Sequence, residues 1–166
     1  YGMMLRDEPV KDLAKRFEDE AASIKDMGFS ATKMKIGLGP EADVKLCEAV
    51  RCGVGNDFKF MVDANHCYTT SDAFYVGHAL EELGAYWFEE PVAPEDIDGY
   101  RELRAGLKVN ISGGEAEFNR WGWRNILENR GLDIAQPEVC ALGGISEYLR
   151  VLALCHAHFT PVINHV

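Results

Sequence analysis

The chain has 166 residues, and its 47% hydrophobic content is enough to bury the core of one ordinary domain. Its 17 basic and 27 acidic residues give a formal net charge of −10, which repels nucleic-acid phosphates and anionic lipids. We therefore expect neither nucleic acid nor a membrane as a partner. No apolar run approaches the roughly 20 residues of a membrane span, and no signal-peptide pattern opens the chain, which predicts a cytoplasmic protein.

Helical and strand patterns alternate along the whole chain. The first helix carries Leu13, Phe17, Ala21 and Ile24 at helical spacing, and Gly28 is a stop signal for it. No hairpin signal joins two strands, and every link between strands is long enough for a crossover helix, which predicts a parallel sheet in an α/β fold. In chain order the predicted elements are helix 10–28, strand 31–37, helix 41–53, strand 58–64, helix 70–84, strand 85–91, helix 96–106, strand 108–115, helix 121–131, strand 132–138, helix 144–158 and strand 160–166.

Ionisable side chains return at a regular interval, where the predicted strands end. Asp63, Glu89 and Glu115 are separated by 26 residues (89 − 63) and 26 residues (115 − 89), and Glu138 and His165 follow after 23 and 27. This regularity favours a barrel, in which all strand ends open on one mouth, over a doubly wound sheet such as a receiver-like module with an acidic Mg²⁺ pocket. A complete (β/α)8 barrel needs about 200–250 residues. The chain therefore predicts a partial TIM-type barrel.

The three acids of this series predict a metal site. Carboxylates brought together at a barrel mouth repel one another, and their pKa values rise unless a cation lies between them. Mg²⁺ prefers oxygen ligands, so Asp63, Glu89 and Glu115 would fill about half of its coordination shell. One such acid alone is typical of a strand end or a helix N-cap. Three in equal register on consecutive strands favour the metal.

Two lysines on the first predicted strand are candidate bases. Lys33 and Lys35 lie two residues apart, so both side chains point to one face of the strand while Met34 points to the other. Two neighbouring ammonium groups lower each other's pKa toward neutrality, as a general base requires. Alone, the pattern is typical of solvated charge. Opposite three carboxylates it indicates proton transfer.

A histidine and a carboxylate at the last two strand ends form a second candidate group. In a barrel Glu138 and His165 would be neighbours, and a carboxylate on one ring nitrogen fixes the other nitrogen for proton transfer. Asn65 and His66 follow Asp63 and are candidate substrate-binding residues. A lysine, a histidine and a metal suit removal of a proton next to a carboxylate, with the metal and a lysine stabilising the resulting enediolate.

These residues belong to motifs that resemble a known family. The motifs KMK, VDAN, EEP, GGE, QPE followed by GGI, and NHV occur in this order over nearly the whole chain. They resemble the enolase superfamily, specifically its mandelate racemase and muconate lactonizing group. The resemblance implies a modified TIM barrel with a separate N-terminal capping domain, and Mg²⁺ held by Asp63, Glu89 and Glu115. It also implies Lys35 as one base with Lys33 beside it, and a histidine–carboxylate dyad at the chain's last histidine.

The resemblance implies Mg²⁺-dependent abstraction of a proton alpha to a carboxylate. Its outcome is dehydration of a sugar acid, racemisation of a 2-hydroxy acid or cycloisomerisation of a sugar-acid lactone. The segments DANHCYT, EEPVAPED and GGISE look most like the acid-sugar dehydratase and galactarolactone cycloisomerase branch. We predict a dehydratase in which Lys35 or His165 abstracts the proton and His165 then helps hydroxide leave. A racemase, a lactone cycloisomerase and a catalytically silent metal-binding fragment stay as alternatives.

The chain departs from the family pattern in two respects. Glu138 stands where the family usually has Asp, which lengthens the carboxylate arm of the dyad by one methylene. The chain also starts with Tyr1 rather than Met, so we expect residues 1–166 to be one partial domain of a longer protein. This domain would hold roughly strands two to seven, without the capping domain and the last strand. Open parallel edges favour pairing, so we expect a homo-oligomer.

Overall fold

The computed structural model describes residues 2–165, so Tyr1 and Val166, the two ends of the predicted partial domain, lie outside the described residues. Helices and strands alternate through this part of the chain, which confirms the predicted α/β pattern. In order the elements are β1 (Gly2–Met3), α1 (Val10–Asp26), β2 (Ala31–Lys35), α2 (Pro40–Val54), β3 (Lys59–Asp63), α3 (Thr70–Glu82), β4 (Trp87–Glu89), α4 (Ile97–Gly106), β5 (Asn110–Gly113), α5 (Arg120–Glu128), β6 (Ile134–Ala135) and α6 (Ile145–Ala157).

Within residues 2–165 the strands form one parallel sheet, whose spatial order from β1 to β6 is the order of the chain. A doubly wound sheet reverses its strand order at a switch point. The consecutive order contradicts the doubly wound alternative and agrees with successive βα units of a TIM-type barrel. The register places Lys35 beside Asp63, Asp63 beside Glu89 and Glu89 beside Ser112. Register partners in a parallel sheet share a face, so this register brings the candidate residues together.

The two ends of the sheet differ from the expectation. The short strand Gly2–Met3 pairs with β2 and was not predicted. At the other end, the predicted strand 160–166 is reduced to one isolated bridge between Val162 and Ala135. Backbone bonds from Ala135 to Pro161 and from Ile163 back to Ala135 still guide this segment along β6. Pro161 has no backbone N–H to donate, and β6 is only two residues long. The hydrogen-bonded ladder between β6 and this segment is therefore short.

Three of the five predicted strand-end residues lie in loops instead. Asp63 and Glu89 end β3 and β4 as expected. Glu115, however, lies two residues beyond β5, because Gly114 has φ +112° and takes the chain out of the extended conformation. Glu138 lies three residues beyond β6, and His165 belongs to no strand. The equal spacing in the sequence therefore does not mean equal positions on the strands.

The core lies between one face of the sheet and the helices. In α1 the residues Leu13, Phe17, Ala21 and Ile24 are buried, as their helical spacing predicts. In β2 the buried Met34 alternates with the partly exposed Lys33 and Lys35, so apolar side chains face the helices and the lysines face away from them. Among residues 2–165, no helix has the length and apolar character needed to cross a membrane.

Helices α1 and α2 approach closely at a glycine. A Cβ added at Gly53 would lie 2.2 Å from the backbone oxygen of Glu18 and 3.2 Å from the Cβ of Ala21. Alanine has the higher intrinsic helix propensity, by about 1 kcal/mol. The backbone of α1 cannot move aside as a flexible side chain would. At position 53, packing therefore disfavours alanine although its helix propensity favours it.

We expect Gly53→Ala to lower the free energy of unfolding, by roughly 1–3 kcal/mol, because the added methyl group forces the two helices apart. The measurement is urea denaturation followed by circular dichroism. Glu48→Ala, at an exposed position of the same helix, is the matched control and should be neutral or slightly stabilising. Equal stability of the Gly53→Ala variant and the wild type would contradict the close approach of α1 and α2.

Candidate active site

Lysines and carboxylates from three neighbouring strands meet on the sheet face opposite the helices. The Nζ atom of Lys33 lies 2.6 Å from Oε1 of Glu89 and 3.1 Å from Oδ2 of Asp63. The Nζ atom of Lys35 lies 2.5 Å from the same oxygen of Asp63 and donates to Oδ1 of Asn65 at 2.7 Å. Both carboxylates are at most 1% exposed, whereas each lysine side chain is about a quarter exposed. The ammonium of Lys33 thus bridges two buried carboxylates.

In this arrangement the pKa of Lys33 shifts in the direction opposite to the one predicted from the sequence. Burial is the largest single effect and lowers the pKa, but the hydrogen bond to Glu89 and the charges of Glu89 and Asp63 together raise it above its ordinary value. The expectation that a neighbouring ammonium lowers the pKa of Lys33 is therefore wrong for this structure. The like charge two residues away is visible in the sequence, whereas the carboxylates come from adjacent strands and meet Lys33 only in the fold.

The pKa values of the two buried carboxylates shift in opposite directions. Burial is the largest effect on Asp63 and opposes ionisation, but the hydrogen bond from Lys35 and the charges of both lysines lower its pKa. Burial, followed by the negative charge of Asp63, raises the pKa of Glu89, and Lys33 only partly offsets this. Asp63, in contact with two ammonium groups, retains its charge more readily than its neighbour.

A further acid, Glu90, is buried beside this cluster. Burial, and then the negative charges of Glu115 and Asp63, raise its pKa to about 8. Its Oε2 lies 3.0 Å from Nε2 of His66, whose Nδ1 lies 3.3 Å from the backbone oxygen of Val92. Both ring nitrogens of His66 therefore face oxygens of the protein. The substrate-binding role of His66 stays a prediction, while its contact with Glu90 is a structural role that sequence reasoning missed.

Backbone geometry marks the same region. Asn65, His66 and Glu90 have φ values of +43°, +67° and +45°, in the left-handed region that non-glycine residues rarely occupy. The N–H of His66 donates to the backbone oxygen of Glu90 at 2.8 Å, which ties the two turns together. Such strained turns cluster at ligand-binding sites. Here they place the Asn65 side chain next to Lys35.

Asp43 organises the loop that follows Lys35 and was also missed. Its fully buried carboxylate accepts three successive backbone N–H groups, from Gly37 (3.0 Å), Leu38 (3.1 Å) and Gly39 (3.0 Å). It also accepts the hydroxyl of Tyr68 at 2.6 Å, which connects the loops after β2 and β3. A Gly-x-Gly sequence directly before Pro at the first position of a helix is the signal that could have indicated this compact turn.

The predicted dyad residues lie together, and Glu115 contacts them. Nδ1 of His165 lies 3.0 Å from Oε2 of Glu138, and Nε2 lies 2.8 Å from Oε2 of Glu115. A backbone hydrogen bond from Cys140, followed by the one from His165, lowers the pKa of Glu138. The longer side chain of glutamate thus still reaches the imidazole. The ring's second nitrogen is not free, because Glu115 contacts it.

The donor set can be compared with the needs of Mg²⁺. Asp63 and Glu89 supply two buried oxygen ligands from adjacent strands, and Lys33 shows that a positive charge fits between them. Oε2 of Glu115 is buried and makes no regular hydrogen bond within residues 2–165, although His165 lies close to it. Over the described residues, no three His, Cys, Asp or Glu side chains are grouped to hold a metal ion. The chemistry of the two strand-end carboxylates fits Mg²⁺, and the three-ligand set stays a prediction.

Comparisons with known proteins agree with this fold. The family model described as "Enolase C-terminal domain-like" matches residues 16–166. D-galactarolactone cycloisomerase of Agrobacterium fabrum is 38% identical over 159 residues, which cover 94% of this chain and 42% of that protein. Arabinonate dehydratase of Saccharolobus solfataricus is 39% identical over 156 residues, which cover 93% of this chain and 42% of that protein.

Solved structures give the same result. The 3,6-anhydro-D-galactonate cycloisomerase from Zobellia galactanivorans superimposes with a TM-score of 0.92 at 37% identity, covering 99% of this chain and 45% of that one. A racemase from Streptomyces coelicolor with bound magnesium has a TM-score of 0.87 at 30% identity, covering 99% of this chain and 49% of that one. The chain thus spans less than half the length of these relatives. The family resemblance of the sequence motifs is confirmed, and the chain belongs to the enolase superfamily, as a member of the family described as enolase C-terminal domain-like.

Proposed function

We propose that this chain is one partial domain, residues 1–166, of a Mg²⁺-dependent enzyme that removes the proton alpha to the carboxylate of a sugar acid. The observation that carries the proposal is the Lys33 ammonium held between the buried carboxylates of Asp63 and Glu89, with Lys35 adjacent. This face combines a candidate base with acids that need a cation. The substrate would be a small carboxylate or sugar acid, since the cluster offers positive charge and hydrogen bonds to oxygen.

We propose that Mg²⁺ is held by Asp63, Glu89 and Glu115, whose carboxylate oxygens are the ligands that it prefers. The bound magnesium of the Streptomyces coelicolor racemase supports a magnesium ion in a related fold. Bound there, Mg²⁺ supplies positive charge that stabilises negative charge developing on the substrate carboxylate. The chain's own residues do the remaining work. Lys33 competes with the metal for the carboxylates of Asp63 and Glu89. Once Lys33 is released from them, its ammonium would bind the substrate carboxylate.

Lys35 and His165 are the proposed bases, on the two sides of the mouth. Lys35 is oriented by Asp63 and Asn65, and the neutral amine form of its Nζ would take the alpha proton. For His165, Glu138 holds Nδ1 and thereby fixes the tautomer, so Nε2 is the atom that transfers a proton. Nε2 is free for this step only when Glu115 no longer contacts it. The proposed binding of Glu115 to Mg²⁺ would remove this contact.

After proton removal, loss of a beta hydroxyl would make the enzyme an acid-sugar dehydratase. His165 in its acid form would then protonate the departing hydroxide. A racemase or a lactone cycloisomerase would share the first step and differ in the fate of the enediolate. The identities of 38% to a cycloisomerase and 39% to a dehydratase support the shared step and do not separate these outcomes. Dehydration remains our first choice.

We expect the 166-residue chain to bind Mg²⁺, because two carboxylates are buried side by side and the ammonium of Lys33 already lies between them. Titration calorimetry measures the binding. Glu89→Gln should abolish it, because the amide keeps the shape of the side chain and removes its charge. Glu95→Gln, at an exposed acid outside the cluster, is the matched control. Retained binding in the Glu89→Gln variant would contradict the assignment of this carboxylate as a ligand.

We expect the enzyme to exchange the alpha proton of a suitable sugar acid with solvent deuterium. The measurement is NMR of a panel of sugar acids incubated with the protein in D₂O. Lys35→Met or His165→Asn should each slow this exchange roughly 10²–10⁴-fold, the usual contribution of a general base. Lys11→Met, at an exposed lysine on α1, serves as control and should not change the rate. Mg²⁺ binding without exchange of any acid would instead support the catalytically silent metal-binding alternative.

Self-association is proposed from the free edges of the sheet. Within residues 2–165, β1 pairs only with β2, and β6 pairs with β5 and with a single residue beyond it. Unpaired N–H and C=O groups on such edges favour contact with another chain. We expect light scattering after size exclusion to give at least a dimer, and a monomeric mass would refute this expectation. The cytoplasmic location likewise stays a prediction from composition.

A further inference from the structure

Glu89 is surrounded by hydrogen-bond donors from three different parts of the sheet. Lys33 contacts Oε1 at 2.6 Å, Trp87 donates its indole N–H to Oε2 at 2.9 Å, and the side chain of Gln136 supplies a third hydrogen bond. Lys33 has a place in the proposed reaction. Trp87 and Gln136 have none so far, although both are buried next to the candidate metal ligand.

Trp87 is fixed in position by the strand that carries Glu89. The two residues are separated by one position on β4, so both side chains point to the same face of the sheet. The indole is 7% exposed, and its ring packs against that of Tyr86 with centroids 5.6 Å apart. An indole N–H only donates, so its one polar atom is committed to the Glu89 carboxylate.

Gln136 is fixed by the neighbouring strand. Its backbone N–H donates to the backbone oxygen of Gly113 at 2.8 Å, and its side chain is 3% exposed. The amide directs its N–H toward Glu89, and its Oε1 is buried without a hydrogen-bond partner among residues 2–165. An unpaired buried carbonyl is costly, and turning the amide would place that oxygen against the carboxylate. The interaction with Glu89 therefore determines how Gln136 is oriented.

These contacts leave Glu89 with one exchangeable partner. An ionised carboxylate offers about four acceptor positions, of which Trp87 and Gln136 take two as neutral donors. Neutral donors remain compatible with a cation on the same carboxylate, whereas the positive charge of Lys33 competes with one. The carboxylate can therefore exchange Lys33 for another cation without turning, provided that the two neutral donors hold it.

We propose that Trp87 and Gln136 are positioning residues that hold the Glu89 carboxylate in the orientation in which it binds a divalent cation, and that the Trp87 indole reports this binding in its fluorescence. The inference rests on the proposed function, because it assigns to these two residues a role at the proposed Mg²⁺ site. It adds residues that contact neither substrate nor metal. Loss of such an outer hydrogen bond typically weakens metal affinity about 10–100-fold.

The test is a Mg²⁺ titration of the 166-residue chain, followed in parallel by calorimetry and by tryptophan emission. Trp87→Phe keeps an aromatic ring and removes the N–H, and Gln136→Met keeps the side-chain length and removes the amide. Trp121→Phe, at an indole that is 64% exposed on α5, is the matched control. Thermal unfolding verifies that each variant folds. If Trp87→Phe does not fold, the Mg²⁺ affinity of Gln136→Met tests the positioning role.

We expect Mg²⁺ to change the emission of the wild type and of Trp121→Phe, and not that of Trp87→Phe. Both positioning variants should bind Mg²⁺ roughly tenfold more weakly or worse, and Gln136→Met should retain the emission change at saturation. Wild-type affinity in both folded variants would overturn the positioning role and leave the proposed metal site intact. Absence of Mg²⁺ binding by the wild-type chain would overturn both, so the two failures are distinguishable.

Discussion

The carboxylates of Asp63 and Glu89, buried side by side on adjacent parallel strands, impose the constraint on which the rest of the site depends. Two negative charges removed from water repel each other and each lose hydration, so they persist only where positive charge and hydrogen-bond donors offset that loss. In this structure Lys33 and Lys35 reach them from β2. The register of the sheet makes this possible, because it aligns Lys35, Asp63 and Glu89 across three strands.

Much of the surrounding backbone holds these side chains in place. Asp43 gathers three N–H groups of the loop after β2 and the hydroxyl of Tyr68 from the loop after β3. The left-handed turns at Asn65 and Glu90 are joined by a backbone hydrogen bond and by the contact of Glu90 with His66. Such connections lower the conformational freedom of loops that would otherwise be mobile. A rigid frame of this kind is what precise proton transfer requires.

The lysine cluster and the histidine group differ electrostatically. In the first, two ammonium groups contact the buried carboxylates, while in the second His165 lies between the carboxylates of Glu115 and Glu138. The buried Glu90 has its pKa raised to about 8, because burial and nearby negative charge both disfavour its ionised form. The same negative charge that raises the pKa of Glu90 favours the binding of a cation nearby.

The sequence by itself determined the alternation of helices and strands, the parallel sheet, the shared face of Lys33 and Lys35, and the family. These features follow from local periodicity and from motif spacing, both of which can be read from one sequence. Tertiary structure alone decided that Glu115 lies in a loop beside His165, and that the pKa of Lys33 rises instead of falling. Both depend on which side chains meet across strands. The same holds for Trp87 and Gln136, 49 residues apart (136 − 87), which only strand pairing brings to one carboxylate.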